Sequence, residues 1–302
     1  MEEIKVLVIG GNGFLGKYVS NELTDRGYKV TIFDKVYNDK PYKNQKIICG
    51  DILDKYSVLN AVKEHDFVYN FAALADIDDV DSYNLIETNV LGNINILDAC
   101  VAHKVSRYIF ASTIYVYSNK GSFYRISKEA CELSIEEYSK MYNIDYTILR
   151  YGSIYGTEAN KHNWIRNAIT QAIYDEQIVR YGDGEEVREY IHVKDASRIS
   201  VDILNKKHKN KSYIITGHKS MRIKDVHEMI KEILDKDIKL IYKDSDIGSH
   251  YKITPYSYKP KVAMKLTSNE YYDFGLGILE CIEEISEGYN KCMTSTLELK
   301  KK

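Results

Sequence analysis

An α/β fold is predicted, a doubly wound parallel sheet with a smaller α/β region on its C-terminal side, and three observations predict it. A short apolar run, KVLVI, ends in the glycine-rich stretch GGNGFLG and leads into a segment with helical period. Strand-length apolar runs then alternate with helix-length periodic segments as far as Arg150. The 302 residues are 44% hydrophobic and 28% charged, enough to bury a large α/β core or a main domain with a smaller one attached.

Lys5 to Ile9, apolar without alternation, reads as a buried parallel strand. Gly10, Gly13 and Gly16 fit a GxxGxxG spacing, while Gly11, Gly13 and Gly16 satisfy GxGxxG, so the spacing does not choose between two kinds of dinucleotide fold. The physics is common to both: glycine lets the backbone turn tightly and approach a pyrophosphate held at the N-terminus of the next helix. Phe14, Leu15, Tyr18, Val19 and Leu23 recur with helical period, and Gly27 stands where that helix should end. The second strand, Lys29 to Phe33, finishes in Asp34. An acidic residue about 20 positions beyond the glycines binds a ribose with a free 2′-hydroxyl and repels a 2′-phosphate, which points to NAD over NADP.

Lys46 to Cys49 reads as the third strand, and GDILD follows it, where Asp51 either contacts the adenine ring or starts a helix. A periodic segment, Lys55 to Glu64, precedes the fourth strand, Phe67 to Phe71, whose end (Asn70, Phe71, Ala72, Ala73) is small enough for a backbone passing close to a cofactor. The acidic run Asp76, Asp78, Asp79 and Asp81 reads as a solvated loop and helix start, and no metal is expected. A helix of about Asn84 to His103 carries Asn89 inside an apolar face, Arg107 to Ala111 forms the fifth strand, and a helix runs from Tyr124 to about Tyr142. Asp145 to Leu149 then supplies a sixth strand that completes the sheet. Beyond Arg150, Asn163 to Tyr174 is helical in pattern, Gln177 to Tyr181 is a strand, and Gly182 and Gly184 mark a hairpin-like turn. Helical patterns at Ile223 to Leu234 and Leu276 to Tyr289 flank a strand near Ile238 to Tyr242.

A formal charge of -2 offers no field to draw in nucleic acid or an anionic membrane. No stretch approaches the roughly 18 uncharged apolar residues of a membrane helix, so the cytoplasm is the expected location. Cys49, Cys100, Cys131, Cys281 and Cys292 are scattered, without a CxxC pair, and read as buried or indifferent thiols. The chemistry concentrates in STIYVYSNKGSFYRISK, Ser112 to Lys128. Tyr124 and Lys128, four apart, share a helix face, so the ammonium can favour phenolate and make the tyrosine a base near neutral pH. The same spacing occurs at Tyr42/Lys46 and Tyr190/Lys194 among 27 tyrosines. Position decides, because Tyr124/Lys128 follows a strand that delivers Ser112 and Thr113 at its carboxyl end, where ligands gather in open α/β sheets.

The glycine turn, Asp34, GDILD, NFAA, ETNVLGNINILDAC, STIYVY, YRISK, LRYGSIYG and GDGEEVREYIHVKDA together resemble the extended short-chain dehydrogenase/reductase superfamily, over nearly the whole chain. The resemblance is to its NAD-dependent epimerase/dehydratase branch, which works on nucleotide sugars. It implies a Rossmann-like domain at 1–150 that binds NAD and carries the catalytic residues, and a mainly substrate-binding region at 151–302, with the chain able to cross between the two. Tyr124 would take the proton of a sugar hydroxyl, usually at C4, while the hydrogen on that carbon leaves to NAD. Thr113, or Ser112 beside it, would hydrogen-bond the same oxygen. Lys128 would hold the cofactor ribose and depress the tyrosine pKa, helped by the oxidised nicotinamide. Gly10, Gly13, Phe14, Leu15, Gly16, Asp34, Asp51, Ile52, Phe71, Ala72, Ala73 and Asn89 complete the implied cofactor site.

Arg188 matches an arginine directed at the substrate diphosphate, a task suited to a bidentate guanidinium. Asn163 and Ser153 lie where relatives contact substrate, with Ser153 in place of a common asparagine. A homodimer through the Asn84 to His103 and Tyr124 helices is also implied. Two departures stand out. Related 4,6-dehydratases carry acidic residues directly after the threonine, where this chain has Ile114 and Tyr115, which argues against dehydration. Only ten residues separate Thr113 from Tyr124, a shortened loop that should leave a wider or differently closed pocket. The expected activity is oxidation of a nucleotide sugar at C4 through a 4-keto intermediate, most simply epimerisation. A 4-dehydrogenase or 4-ketoreductase, and a non-catalytic dinucleotide-binding module, are the alternatives.

Overall fold

The apolar runs pair side by side in one parallel sheet. The computed structural model describes residues 3–37, 40–75, 77, 81–243, 252–255, 264–266 and 270–299. Strands β1 (Lys5–Ile9), β2 (Lys29–Asp34), β3 (Lys46–Cys49), β4 (Phe67–Asn70), β5 (Arg107–Thr113) and β6 (Tyr146–Tyr151) come from the first half. The second half adds β7 (Ser153–Tyr155), β8 (Gln177–Tyr181), β9 (Val187–His192), β10 (Lys211–Ile215), β11 (Ser220–Arg222), β12 (Lys239–Lys243) and the two-residue β13 (Met264–Lys265). The large sheet runs 3-2-1-4-5-6-10, with β13 added at the edge, and every pairing in it is parallel. β1 sits between β2 and β4, so the strand order reverses at the end of β1 and opens a crevice there.

Helices cover both faces. On one, α2 (Lys55–Val62), α4 (Gly92–Ala102) and α5 (Ser122–Tyr142) pack over Leu7, Phe33, Val68 and Phe110. On the other, α1 (Phe14–Asp25) and α7 (Val193–Asp202) meet over Val6, Val8, Tyr69 and Leu149. The expected single helix at Asn84 to His103 is three pieces: α3 (Ser82–Ile86), a π-helical turn at Glu87–Leu91, and α4. Asp81 caps α3 by accepting from Asn84 N, as a helix start should, whereas Asp76, Asp78 and Asp79 lie outside the described residues.

Two expectations are corrected. The sheet does not end at the sixth strand, because α7 and β10 return from the second half and complete its far side. Buried Arg107 fixes that return by donating to the C-terminal carbonyls of Ile203, Leu204 and Asn205, where a cation is favoured. The glycines at 182 and 184 do not make a hairpin either. β8 pairs with β12, while β9 pairs with β7 and antiparallel to β11, so the segment crosses from one small sheet to another. These sheets pack with α6 (Trp164–Tyr174), α8 (Ile223–Leu234) and α9 (Phe274–Leu299) into a separate apolar cluster. Among the described residues no helix is long and apolar enough to cross a membrane.

Candidate active site

The crevice at the end of β1 is built by close backbone approach. Gly10 has φ 75°, and a Cβ on it would lie 2.5 Å from Ala72 N; a Cβ on Gly16 would lie 2.1 Å from Gly10 O. No side chain fits at either position. Gly13 starts α1 without a side-chain cap, and the first turn holds no acid, so its N–H groups remain available to an anion. Phe14 and Leu15 can contribute only such backbone groups: Leu15 packs into the core and Phe14 lies edge-on to Tyr18. Asp34 ends β2 and accepts from Asn12 N at 2.9 Å. Gly10, Asn12, Gly13 and Asp34 line a cleft of about 390 Å³ with Ile52, Phe71, Ala72 and Ala73, whereas Phe14, Leu15 and Gly16 are not on its wall. A glycine cradle, an uncapped helix N-terminus and a carboxylate at the neighbouring strand end fit the diphosphate and adenosine ribose of NAD.

Asp51 neither lines this cleft nor caps the following helix. Its carboxylate accepts from Leu53 N and pairs with Lys35 at 2.9 Å, and Asp54 provides the cap. Asn89, in the π turn, is spent on the protein itself. Its carbonyl accepts from Leu74 N, and its amide donates to Leu74 O and Ser127 Oγ, tying the strand-end loop to α5.

β5 carries Ser112 and Thr113 to the same edge of the sheet, and because side chains alternate along a strand they point to opposite faces. Ser112 Oγ donates to Glu132 at 2.5 Å, within a buried ion pair in which Arg150 holds Glu132 at 2.9 and 2.7 Å. Ser112 therefore faces away from the cleft, which corrects its placement beside the reacting oxygen. Thr113 faces the cleft, hydrogen-bonds the Tyr124 phenol and accepts from Tyr115 N. Tyr124 and Lys128 do share a face of α5, but their electrostatics differ from expectation. Burial pushes the Tyr124 phenol up to about 12, the Thr113 hydrogen bond opposing it, and burial pulls Lys128 down to about 8. The ammonium donates to Ala111 O at 2.8 Å and lies 5.8 Å from the Tyr124 ring centroid, too indirectly placed to overcome desolvation.

A second cleft, of about 690 Å³, meets the first along Ala73 and Leu74. Thr113 at the end of β5 and Tyr115 just beyond it line this cleft together with Ser153, Arg180 and Arg188 from the small sheets and Trp164 from α6. Arg180 is paired with Glu186 at 2.9 Å, and buried Arg188 reaches the cleft from β9. Asn163 is not on this wall. It caps α6 by accepting from Arg166 N, and its amide donates to Ile154 O; Asn167, one turn on, lines the cleft instead.

Residues 6–216 match the NAD dependent epimerase/dehydratase family. The chain belongs to that family. Its cofactor is accordingly NAD. The chain is 30% identical over 267 residues to a UDP-N-acetyl-alpha-D-glucosaminuronate decarboxylase of Bacillus cytotoxicus, covering 79% of this chain and 83% of that protein. It is 28% identical to a putative UDP-glucose 4-epimerase of Methanocaldococcus jannaschii, covering 82% and 88%. Its fold matches the UDP-glucose 4-epimerase of Thermotoga maritima with a TM-score of 0.81 at 22% identity, covering 95% of this chain and all of that one. The chain's relatives are thus nucleotide-sugar epimerases, dehydratases and related enzymes, which makes it an epimerase/dehydratase family enzyme.

Several cleft residues of this family member went unread in the sequence. Asn12 and Leu74 are loop residues whose role depends on where strand ends meet. Trp164 and Asn167 lie in the helical pattern that begins at Asn163, and the period of α6 could have found them, since Asn163 and Asn167 are one turn apart. Arg180 carries no motif of its own.

Proposed function

We propose that this enzyme oxidises a nucleotide-activated sugar at C4 to a 4-keto intermediate and, as an epimerase, restores the hydrogen on the opposite face. The observation that carries this reading is the hydrogen-bonded pair of Thr113 and Tyr124, with Thr113 in a cleft continuous with the cofactor crevice. NAD, when bound, supplies the acceptor for the C4 hydrogen and its later donor. Tyr124 takes the proton of the C4 hydroxyl and returns it, while the Thr113 hydroxyl steadies the same oxygen. Lys128 uses one of three N–H donors on Ala111 O and keeps two for ribose hydroxyls. A positive charge in the adjoining crevice would lower the high phenol pKa toward the working range. Arg188 is assigned to the diphosphate, Ser153 to the sugar, and 1–150 with the returning 193–215 to the cofactor part.

No carboxylate lines the larger cleft among the described residues, and Ile114 and Tyr115 follow Thr113, which speaks against the acid–base pair that dehydration requires. Loss of carbon dioxide from a sugar acid is a second reading, favoured by the 30% identical decarboxylase. Oxidation at C4 sets a ketone β to the carboxylate on C5. The bond between C5 and that carboxylate then breaks, carbon dioxide leaves, and the electron pair passes to an enolate that takes a proton at C5; no acid–base pair for eliminating water is needed. A homodimer is proposed through α4 and α5, of which α5 exposes Phe123, Ile126 and Leu133. The test is incubation with UDP-, GDP-, dTDP- and CDP-sugars, neutral and acidic, with product mass and NMR. Unchanged mass marks an epimerase, loss of two hydrogens a dehydrogenase, loss of carbon dioxide a decarboxylase, and loss of water contradicts the reading.

A further inference from the structure

The ten residues between Thr113 and Tyr124 do not form a draped loop. They make a 3₁₀ turn, Ile114–Tyr117, capped by Thr113 itself, and then a bend that ends at Gly121, the residue before α5. Ile114 is buried in a small apolar cluster with Ile214 against which Tyr115 also packs, and both Ile114 and Tyr115 border the larger cleft. Its ring stands edge-on to Tyr124, centroids 6.5 Å apart at 78°. On its other side it is pressed against backbone: a Cβ on Gly121 would lie 2.6 Å from Tyr115 Cδ1 and 2.9 Å from Cγ. Gly121 also has φ 97°, so glycine is required there by conformation and by contact. Tyr115 is thus clamped between the start of α5 and the phenol that α5 carries, and its own backbone N–H donates to Thr113.

We infer that Tyr115 is a positioning residue: its ring, backed by Gly121, packs edge-on against the side of Tyr124, limits water beside that ring and holds the phenol against Thr113 while leaving its hydroxyl open to the substrate. The inference rests on the assignment of Tyr124 as the proton-transfer group. It explains why desolvation raises the pKa of a phenol that is only half-buried. It also gives the cleft an aromatic wall beside the proton-transfer residue.

The test reads the phenol directly and needs no known substrate. The protein is labelled with [¹³Cζ]tyrosine and titrated in its complex with NAD, and the Tyr124 resonance is identified by its loss in Tyr124→Phe. Tyr115→Phe, which keeps the ring, should leave the Tyr124 midpoint where it is in the wild type. Tyr115→Ala, which opens the cleft to the phenol, should lower the midpoint by on the order of one pH unit. An unchanged midpoint in Tyr115→Ala, with thermal stability reduced or not, would overturn the inference and leave Tyr115 a packing residue. If Tyr115→Ala does not fold, Tyr115→Leu provides the same comparison with most of the volume kept. The proton-transfer assignment fails separately, if Tyr124→Phe retains turnover; the Tyr115 result would then describe packing around an inert phenol.

Discussion

Lys128 is buried at 3% exposure and its pKa is pulled down to about 8, so the folded protein holds an ammonium it would shed more readily than the unfolded chain. Below about pH 8 both states are protonated and the desolvation cost is fully present. Between about 8 and the ordinary lysine value near 10.4, the unfolded state binds the extra proton, so stability rises with pH. Lys128→Met should therefore gain most relative to wild type at pH 7, on the order of 3 kcal/mol less the lost bond to Ala111, and the gain should vanish toward pH 10.4. Urea unfolding of both proteins across that range checks it; a pH-independent difference would mean that Lys128 is not held as a strained charge. At this scale the sequence reveals residue types but not burial. Tyr124 and Lys128 could be found by spacing and position, yet whether the pair lowers or raises the phenol depends on desolvation, which no spacing encodes.

At the scale of elements, the Glu132–Arg150 pair links α5 to β6 and, through Ser112, to β5. It sets the height of the helix that carries Tyr124. Glu132→Gln should destabilise by about 3–5 kcal/mol, because a buried guanidinium loses its counter-charge, whereas Ser112→Ala should cost only about 1–3 kcal/mol and leave turnover largely intact. Collapse of turnover in Ser112→Ala would instead make Ser112 a reacting group. Element periodicity was legible where a helix shows an apolar stripe, as in α1, α6 and α8. α7 was not legible because its buried face includes Asp195, Ser197 and Ser200. Ser197 bonds Lys194 O within the helix, but the other two have partners far along the chain: Asp195 accepts from Tyr272 N, Ser200 bonds Tyr151, and the Ser200 carbonyl accepts from Tyr69. Asn163 was misread for a related reason, since a cap and a ligand contact call for the same amide.

For the whole molecule, the parallel sheet was legible through six strands because each βαβ unit is local in sequence. Its completion by β10 depends on the chain returning from the smaller region, and a five-residue run, KSYII, does not announce that. The exposed stripe on α5 is the feature that looks beyond one chain: Leu133 is 61% exposed and Ile126 43%. Leu133→Asp should convert a dimer to monomers in sedimentation velocity while leaving NAD binding in place. A wild-type monomer at micromolar concentration would remove the proposed assembly.

The central claim is oxidation at C4 by Tyr124 with the cofactor held in the β1 crevice. Its most direct test is turnover of the nucleotide sugar identified by the panel, deuterated at C4. Retention of deuterium at C4 in the wild-type product, with turnover lost in Tyr124→Phe and NAD still bound, is the predicted result. Exchange of that deuterium with solvent, or undiminished turnover by Tyr124→Phe, would contradict it.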